Sequence, residues 1–198
     1  IAGDGHFTHR GRGQSAACIN LWNEERVLAE WVAGVVNRLI AGLSATARQY
    51  QVAPVAVAER RHVFIRSVLL ARALAALGFN QQTKQRVPEI VWRGTEACVK
   101  GYLRALFQAD GTVNVSGRSQ SCSIRLSSSY SALLKDVQVL LANLGVQARL
   151  RLRRQARIKA MPDGKGGRSD YACQSQYELI LDGQARERFM QEVGFLLD

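Results

Sequence analysis

Apolar side chains recur at three- and four-residue steps across residues 99–107. Val99, Leu103, Leu106 and Phe107 line one face, and Gly101, Ala105 and Ala109 form a neighbouring stripe of small residues. That period predicts a packed helix, and small residues four apart let a second helix come close. Thr95 stands where it can cap the start, Glu96 suits the first turn, and Gly111 is the residue expected just past the end. Beyond it the period drops to two. Residues 112–116 alternate, a turn follows at 116–119, and residues 121–127 put Cys122, Ile124 and Leu126 on one face and Ser121, Ser123, Arg125 and Ser127 on the other. Ser129 is placed to cap a helix over residues 130–144, which Gly145 would end. Residues 147–153 alternate once more, with Gln147, Arg149, Arg151 and Arg153 opposite Ala148, Leu150 and Leu152.

The first half follows the same grammar less sharply. Residues 24–41 and 67–77 have helical periodicity, and residues 87–94, with one of only three prolines, read as a connector. His6, Thr8 and Arg10, then Asn20, then Thr46, Arg48 and Tyr50 would form the polar face of its sheet. The halves also match residue by residue. Gly11-Arg12-Gly13-Gln14-Ser15 and Gly117-Arg118-Ser119-Gln120-Ser121 agree at four of five positions, and the offset between them is the one that relates Asp4 to Asp110. Leu77-Gly78-Phe79 and Val193-Gly194-Phe195 close the two halves. Two repeats of roughly a hundred residues, each with one Asp-Gly, describe a pseudo-twofold protein.

Chemistry enters through Asp110. A carboxylate at the last turn of a helix sits among free carbonyls at the negative end of the dipole, where it is repelled. A divalent cation reverses that sign, because a carboxylate and a main-chain carbonyl are hard oxygen ligands. Charge points to the partner: 27 Lys and Arg against 16 Asp and Glu give a net +11, which suits a polyanion, nucleic acid first. No run of about 18 apolar residues suggests a membrane span, and the first residues lack the layout of a signal peptide. Cys18, Cys98, Cys122 and Cys173 show no metal or disulfide spacing and read as small buried hydrophobes. His6, His9 and His62 form no evident cluster; Trp22, Trp31 and Trp92 read as core or interface residues. Arg125, Arg149, Arg151 and Arg153 share a face with hydroxyls and amides, and no acid is evident among them. Such side chains contact phosphates and base edges, and a two-stranded ribbon fits the DNA major groove. Lys159, Lys165 and Arg168 border or occupy a stretch, residues 160–170, whose Pro, Asp and Gly content suggests a mobile loop touching backbone.

Residues 101–111 (GYLRALFQADG), preceded by Val87-Pro88-Glu89-Ile90, resemble the LAGLIDADG motif, and most of all the form found in LAGLIDADG homing endonucleases carried inside inteins. The opening Ile1-Ala2-Gly3-Asp4-Gly5-His6-Phe7 resembles the tail of the family's first motif. The resemblance spans essentially the whole chain. It implies an α+β fold of two pseudo-symmetric αββαββα repeats, residues 1–94 with the connector and residues 95–198, forming a saddle of antiparallel sheets with the motif helices packed at the centre. It implies a site-specific endonuclease that breaks both strands of DNA at a long target and leaves short 3′ overhangs. Asp4 and Asp110 would be the catalytic and metal-binding carboxylates, with the main-chain carbonyls of Gly3 and Ala109 as further ligands. Two carboxylates that close repel unless cations lie between them, so Mg²⁺ is the expected cofactor, with Mn²⁺ as an alternative and Ca²⁺ as a non-catalytic substitute. DNA contacts are expected from His6, Thr8, Arg10, Asn20 and Arg48 in the first half. In the second they are expected from Thr112, Asn114, Ser123, Arg125, Gln147, Arg149, Arg151, Arg153 and Lys159. Lys159 is also the one candidate for the basic residue the family places near the metals. The expected state is a cytoplasmic monomer acting as a pseudo-dimer on double-stranded DNA.

The chain departs from the family pattern in three places. The first motif lacks its leading turns, Gln108 stands where another acid is frequent, and the splicing residues of an intein are missing from both ends, so no self-splicing is expected. An RNA-binding intron maturase, or a non-cleaving DNA-binding protein of the same fold, is the alternative. Such proteins tend to lose one or both motif acids, and both are present here.

Overall fold

The period-two segments become two separate sheets. The computed structural model describes residues 5–10, 14–43, 50–79, 82–117, 121–162, 164 and 166–197. The chain divides into one unit of residues 1–84, 88–93 and 197 and another of residues 85–87, 94–196 and 198.

In the first unit β1 (His6–Arg10) pairs antiparallel with β2 (Gln14–Trp22), Thr8 opposite Ala16. A 3₁₀ turn, Asn23–Leu28, leads into α1 (Ala29–Ala41). β3 (Val55–Ala56), β4 (His62–Ser67) and α2 (Val68–Ala76) complete the repeat, with strand order β1-β2-β4-β3. Ala17 and Ile65 point inward from the strands onto Ala33, Val36 and Ile40 of α1 and Leu70 and Ala71 of α2. Asn37 extends α1's hold on the chain beyond it, donating to the Val52 carbonyl at 2.9 Å and accepting from its N–H at 2.8 Å. Ser67 caps α2 through its hydroxyl, which accepts from Leu70 N at 3.1 Å. Gly78, at φ +82°, ends the helix with Phe79 N bonded back to the Leu74 carbonyl. The connector carries a single helical turn, α3 (Glu89–Trp92), entered through Pro88.

The second unit is α4 (Glu96–Asp110), β5 (Gly111–Val115), β6 (Cys122–Ser128), α5 (Ser131–Asn143), β7 (Arg149–Arg154), β8 (Arg157–Pro162), β9 (Arg168–Cys173), β10 (Gln176–Asp182) and α6 (Gly183–Glu192). Its main sheet runs β5-β6-β10-β7, the same order as the first unit's sheet. Leu103, Leu106 and Phe107 of α4 are buried, as are Ile124, Leu126, Leu179 and Leu181 of the sheet and Phe189 of α6. The Phe107 and Phe189 rings pack with centroids 4.7 Å apart. Polar ties hold α4 to the closing helix. Lys100 bridges Glu192 at 2.7 Å and Glu96 at 2.6 Å, and Arg104 Nε donates to the Val193 carbonyl at 2.6 Å.

The protein is thus α+β, built on two antiparallel sheets of one topology, and several expectations change in detail. Thr95 caps α4 as expected, accepting from Cys98 N. Ser129 does not cap α5: the strand runs on to Ser128, whose hydroxyl accepts from Tyr130 N, and Tyr130 becomes an N-cap residue without a side-chain cap. The 160–170 stretch is not a long loop, since six consecutive pairs from Arg157↔Cys173 to Pro162↔Arg168 make β8 and β9 a ribbon. β4 was expected only as an unplaced strand of the repeat's second hairpin. Tyr50, expected on a strand, is exposed and lies in none, while Thr46 and Arg48 fall outside the described residues. Trp22, Trp31 and Trp92 are exposed rather than core: Trp31 points outward from α1, and Trp22 stacks on His62 with centroids 4.0 Å apart. Of the cysteines Cys18 alone is fully buried, and burial pushes its thiol up against the opposing effect of Arg66; Cys98 is exposed on α4.

Candidate nucleic-acid interface

Cross-strand register assembles the polar face of the second sheet. Thr112, Arg125, Ile180 and Arg149 stand in one row across β5, β6, β10 and β7. Asn114, Ser123 and Asp182 make a second row, and Ser127, Glu178 and Arg151 a third. The opposite side chains, Ile124, Leu126, Leu179 and Leu181, fill the core, so the outward face is fixed by what the inward one buries. Gln147 falls outside this sheet, exposed ahead of β7. Lys159 is exposed on the ribbon, opposite Tyr171.

The face is not free of acid, as its sequence had suggested. Glu178, only 2% exposed, lies among three arginines. Its Oε2 accepts from Arg151 Nη2 at 2.6 Å and Nε at 3.0 Å and lies 3.6 Å from Arg125 Nη1; its Oε1 lies 3.6 Å from Arg153 Nη1. Arg125 Nε also donates to Ser123 Oγ at 3.0 Å. Asp182 takes Arg149 at 3.0 Å in an exposed pair. Neither acid stands out in the sequence, because Glu178 sits in an otherwise apolar strand, between Tyr177 and the Leu179-Ile180-Leu181 run.

Asp110 ends α4, exposed, and Gly111 begins β5 with no loop between. Gly111 is extended, at φ −78°, so the usual reason for glycine after a helix, a left-handed residue, does not apply. The reason is space: a Cβ there would drive into the Phe107 carbonyl oxygen. The Gly111 N–H bonds that same carbonyl, which ties the first strand residue to the last helical turn. Asp110 thereby stands at the root of the strand that carries Thr112 and Asn114. Two turns back, the Tyr102 hydroxyl is buried without a hydrogen-bond partner among the described residues; burial first, then the charges of Asp136 and Asp110, push its pKa up.

The first sheet presents His6, Thr8, Cys18, Asn20, Trp22, His62, Phe64 and Arg66 on one face. Asn20 joins two histidines that are 56 residues apart in sequence, lying 3.1 Å from His6 Nδ1 and 3.0 Å from His62 Nε2. Arg66 donates to Thr8 Oγ1 at 3.1 Å. In sequence His62 joins no cluster and Arg66 goes unremarked, because the residues of the strand that carries them are not assigned; Asn20 corrects the first reading by linking His6 to His62. Arg10 lies in β1 with its backbone alone described, and Asp4, Gly3 and Arg48 lie outside the described residues. Sequence reasoning missed a further cation of this unit: Lys84 Nζ donates to the Gly5 carbonyl at 2.6 Å. Seventy-nine positions separate the two in the chain, and nothing in their sequence signals the contact.

Among the described residues no three His, Cys, Asp or Glu side chains cluster as a complete metal site. The Asp110 carboxylate and the Ala109 carbonyl are nonetheless hard oxygen donors at the negative end of a helix, and that donor chemistry fits Mg²⁺ or Mn²⁺ rather than a soft metal.

A polar, arginine-bearing sheet rooted on a helix that ends in Asp-Gly, and a sheet of identical strand order in the other unit, define a class of duplicated α+β proteins. Residues 97–194 match the model of the LAGLIDADG-like domain. The chain is 33% identical over 202 residues to the NrdEB alpha subunit of ribonucleoside-diphosphate reductase from Bacillus subtilis (strain 168), a match covering 98% of the chain and 18% of the reductase. It is 29% identical over 140 residues to a DNA polymerase of Thermococcus hydrothermalis, covering 71% of the chain and 8% of the polymerase. The chain therefore spans less than a fifth of the length of these relatives. Among solved structures, mesophilic variants of the homing endonuclease I-DmoI match with a TM-score of 0.60 at 18% identity, over 98% of this chain and 90% of that one. I-DmoI in complex with DNA and Mn gives 0.57 at 17%, over 98% and 91%. The LAGLIDADG meganuclease I-AabMI bound to uncleaved DNA gives 0.50 at 12%, over 99% and 82%. Residues 97–194 are a LAGLIDADG-like domain, and the chain as a whole has the fold of the single-chain, two-repeat homing endonucleases.

Proposed function

We propose that this protein is a homing endonuclease that makes a metal-dependent double-strand break at a long DNA target, acting as a monomeric pseudo-dimer in the cytoplasm. One observation carries the reading: Asp110 is fixed, through Gly111 and the Phe107 carbonyl, at the foot of the strand that opens an arginine-bearing face. Asp110 and Asp4 would each serve one strand, with the Ala109 and Gly3 carbonyls as additional oxygen donors. A bound Mg²⁺ or Mn²⁺ supplies charge neutralisation, an activated water and stabilisation of the leaving oxygen. The sheets bind and orient the duplex. Thr112, Asn114, Ser123 and Arg125 of the second unit and His6, Thr8 and Asn20 of the first would contact it, with Arg10 and Arg48 as further proposed contacts. Lys84, whose Nζ donates to the carbonyl of Gly5, the residue after Asp4 in sequence, joins Lys159 as a candidate for the basic residue near the reacting phosphate.

The setting proposed is an intein. Nearly the whole chain matches a segment of a reductase, and most of it matches a segment of a polymerase, two enzymes of unrelated chemistry. One domain recurring inside unrelated, longer hosts is what a mobile insertion produces. Its target would then lie in the coding sequence of an uninterrupted host gene.

The test is cleavage, in Mg²⁺, of a plasmid library of intein and intron insertion sites by the intact protein and by its Asp4→Asn and Asp110→Asn variants. Cutting at one long site, abolished or reduced to nicking by either change, is the expected result. Tight DNA or RNA binding without cutting would replace the nuclease with a maturase or a DNA-binding regulator.

A further inference from the structure

Glu178 is 2% exposed, so its carboxylate presents almost no surface to a duplex. It nevertheless governs three cations that face one. Its contacts are unequal. Arg151 is held by two hydrogen bonds, at 2.6 and 3.0 Å, to one oxygen, which consumes the inner edge of its guanidinium. Arg125 and Arg153 stand at 3.6 Å, inside ion-pair range but beyond hydrogen-bonding distance, so neither is committed to Glu178. Arg125 is steadied by Ser123 and Arg153 lies at the 3.5 Å limit from Ser127.

We propose that Glu178 is a positioning residue for nucleic acid: it holds Arg151 as a strut within the sheet, so that Arg125 and Arg153 are the arginines of this cluster that contact the duplex. The proposal rests on the DNA-binding reading and divides labour among side chains that the sequence presents as equals. A buried acid among surface cations lowers the number of phosphates the face can neutralise, and it also limits the rotamers from which Arg125 and Arg153 start. Fewer rotamers lost on binding favours recognition of one geometry over indiscriminate attraction.

The readout is the slope of log affinity against log salt for a duplex of fixed, arbitrary sequence, which counts the phosphates neutralised. Glu178→Gln should steepen the slope by about 0.9, one further phosphate contact, as Arg151 is released, and Glu178→Asp should restore it. A paired change, Glu178→Met with Arg151→Met, removes one acid and one cation together and replaces a buried pair with apolar side chains, an exchange folded proteins tolerate. Its slope should be no shallower than the native one, although a positive charge has gone. A fall of about 0.9 would mean that Arg151 was itself a phosphate ligand, and it would overturn the proposal even if Glu178→Gln failed to fold. An unchanged slope in a folded Glu178→Gln protein would overturn it equally. If the native protein shows no salt-dependent binding to duplex, the DNA reading falls and takes this inference with it; a moved baseline with unmoved variants sinks the inference alone.

Discussion

One absent methyl group fixes where Asp110 stands. Gly111 approaches the Phe107 carbonyl too closely for any side chain, so helix and strand join without an intervening loop. Gly111→Ala should cost about 1–3 kcal/mol, the range for forcing an extra carbon into packed structure, and should shift Asp110 relative to the sheet. Urea denaturation would measure the first and cleavage rate the second; an unaltered unfolding midpoint would contradict the close contact. The residue was legible in the sequence but its reason was not, because a glycine needed for positive φ and one needed for a close approach look alike in one dimension. Glu178 was illegible for a related cause. A lone acid in an apolar strand declares nothing about the arginines of β6 and β7 that register sets beside it.

At the scale of elements, α4 is held to α6 by Phe107 on Phe189 and by Lys100 on Glu192, whose carboxylate also pairs with Arg188 one turn back on α6. Hydrogen bonding from Lys100, reinforced by Arg188, holds the Glu192 carboxyl below its ordinary 4.5, and the two glutamates hold Lys100 above its ordinary 10.5. The folded protein thus keeps Glu192 charged to lower pH than the unfolded chain does. Its contribution is complete above 4.5 and fades as acid titrates through the folded value. That of Lys100 is complete below 10.5 and fades in stronger alkali. The difference in urea midpoint between the native protein and Glu192→Gln should be flat between those limits and shrink outside both. A constant difference down through pH 4.5 would show the tie to be idle. Periodicity gave α4, α5, β5, β6 and β7 closely, because each has one strongly apolar face. It did not place β4, whose His62-Val63-Phe64-Ile65-Arg66 sets Phe64 between His62 and Arg66 on its polar side, and it missed the β8–β9 ribbon, which buries too little on either face to leave a pattern. Only pairing partners reveal such strands.

Across the whole chain, duplication was legible from repeated short sequences, and the shared strand order gives it a structural form. The connector is where the repeats become one polypeptide, and residues 85–87 belong with the second unit because Asp136 of α5 holds them. It accepts from Arg86 Nε at 2.7 Å, Arg86 Nη2 at 2.9 Å and the Val87 N–H at 3.1 Å. Asp136→Ala would strand a buried backbone donor and should cost about 3 kcal/mol, the upper range for losing a charged hydrogen-bond acceptor. A change in unfolding free energy below about 1 kcal/mol, the worth of an ordinary exposed pair, would show the connector to be loosely held. The alternation of the sheets has a different consequence, which concerns descent rather than stability. The exposed side chains of the outward face, Thr112, Asn114 and Arg149 among them, lie on the side away from the apolar layer, unlike the buried Glu178 and Ile180 of β10. Point changes at those exposed positions can therefore accumulate without unfolding the protein or displacing Asp110, and, on the reading proposed above, a lineage carrying this chain can change the sequence it recognises while the position of Asp110 is inherited intact.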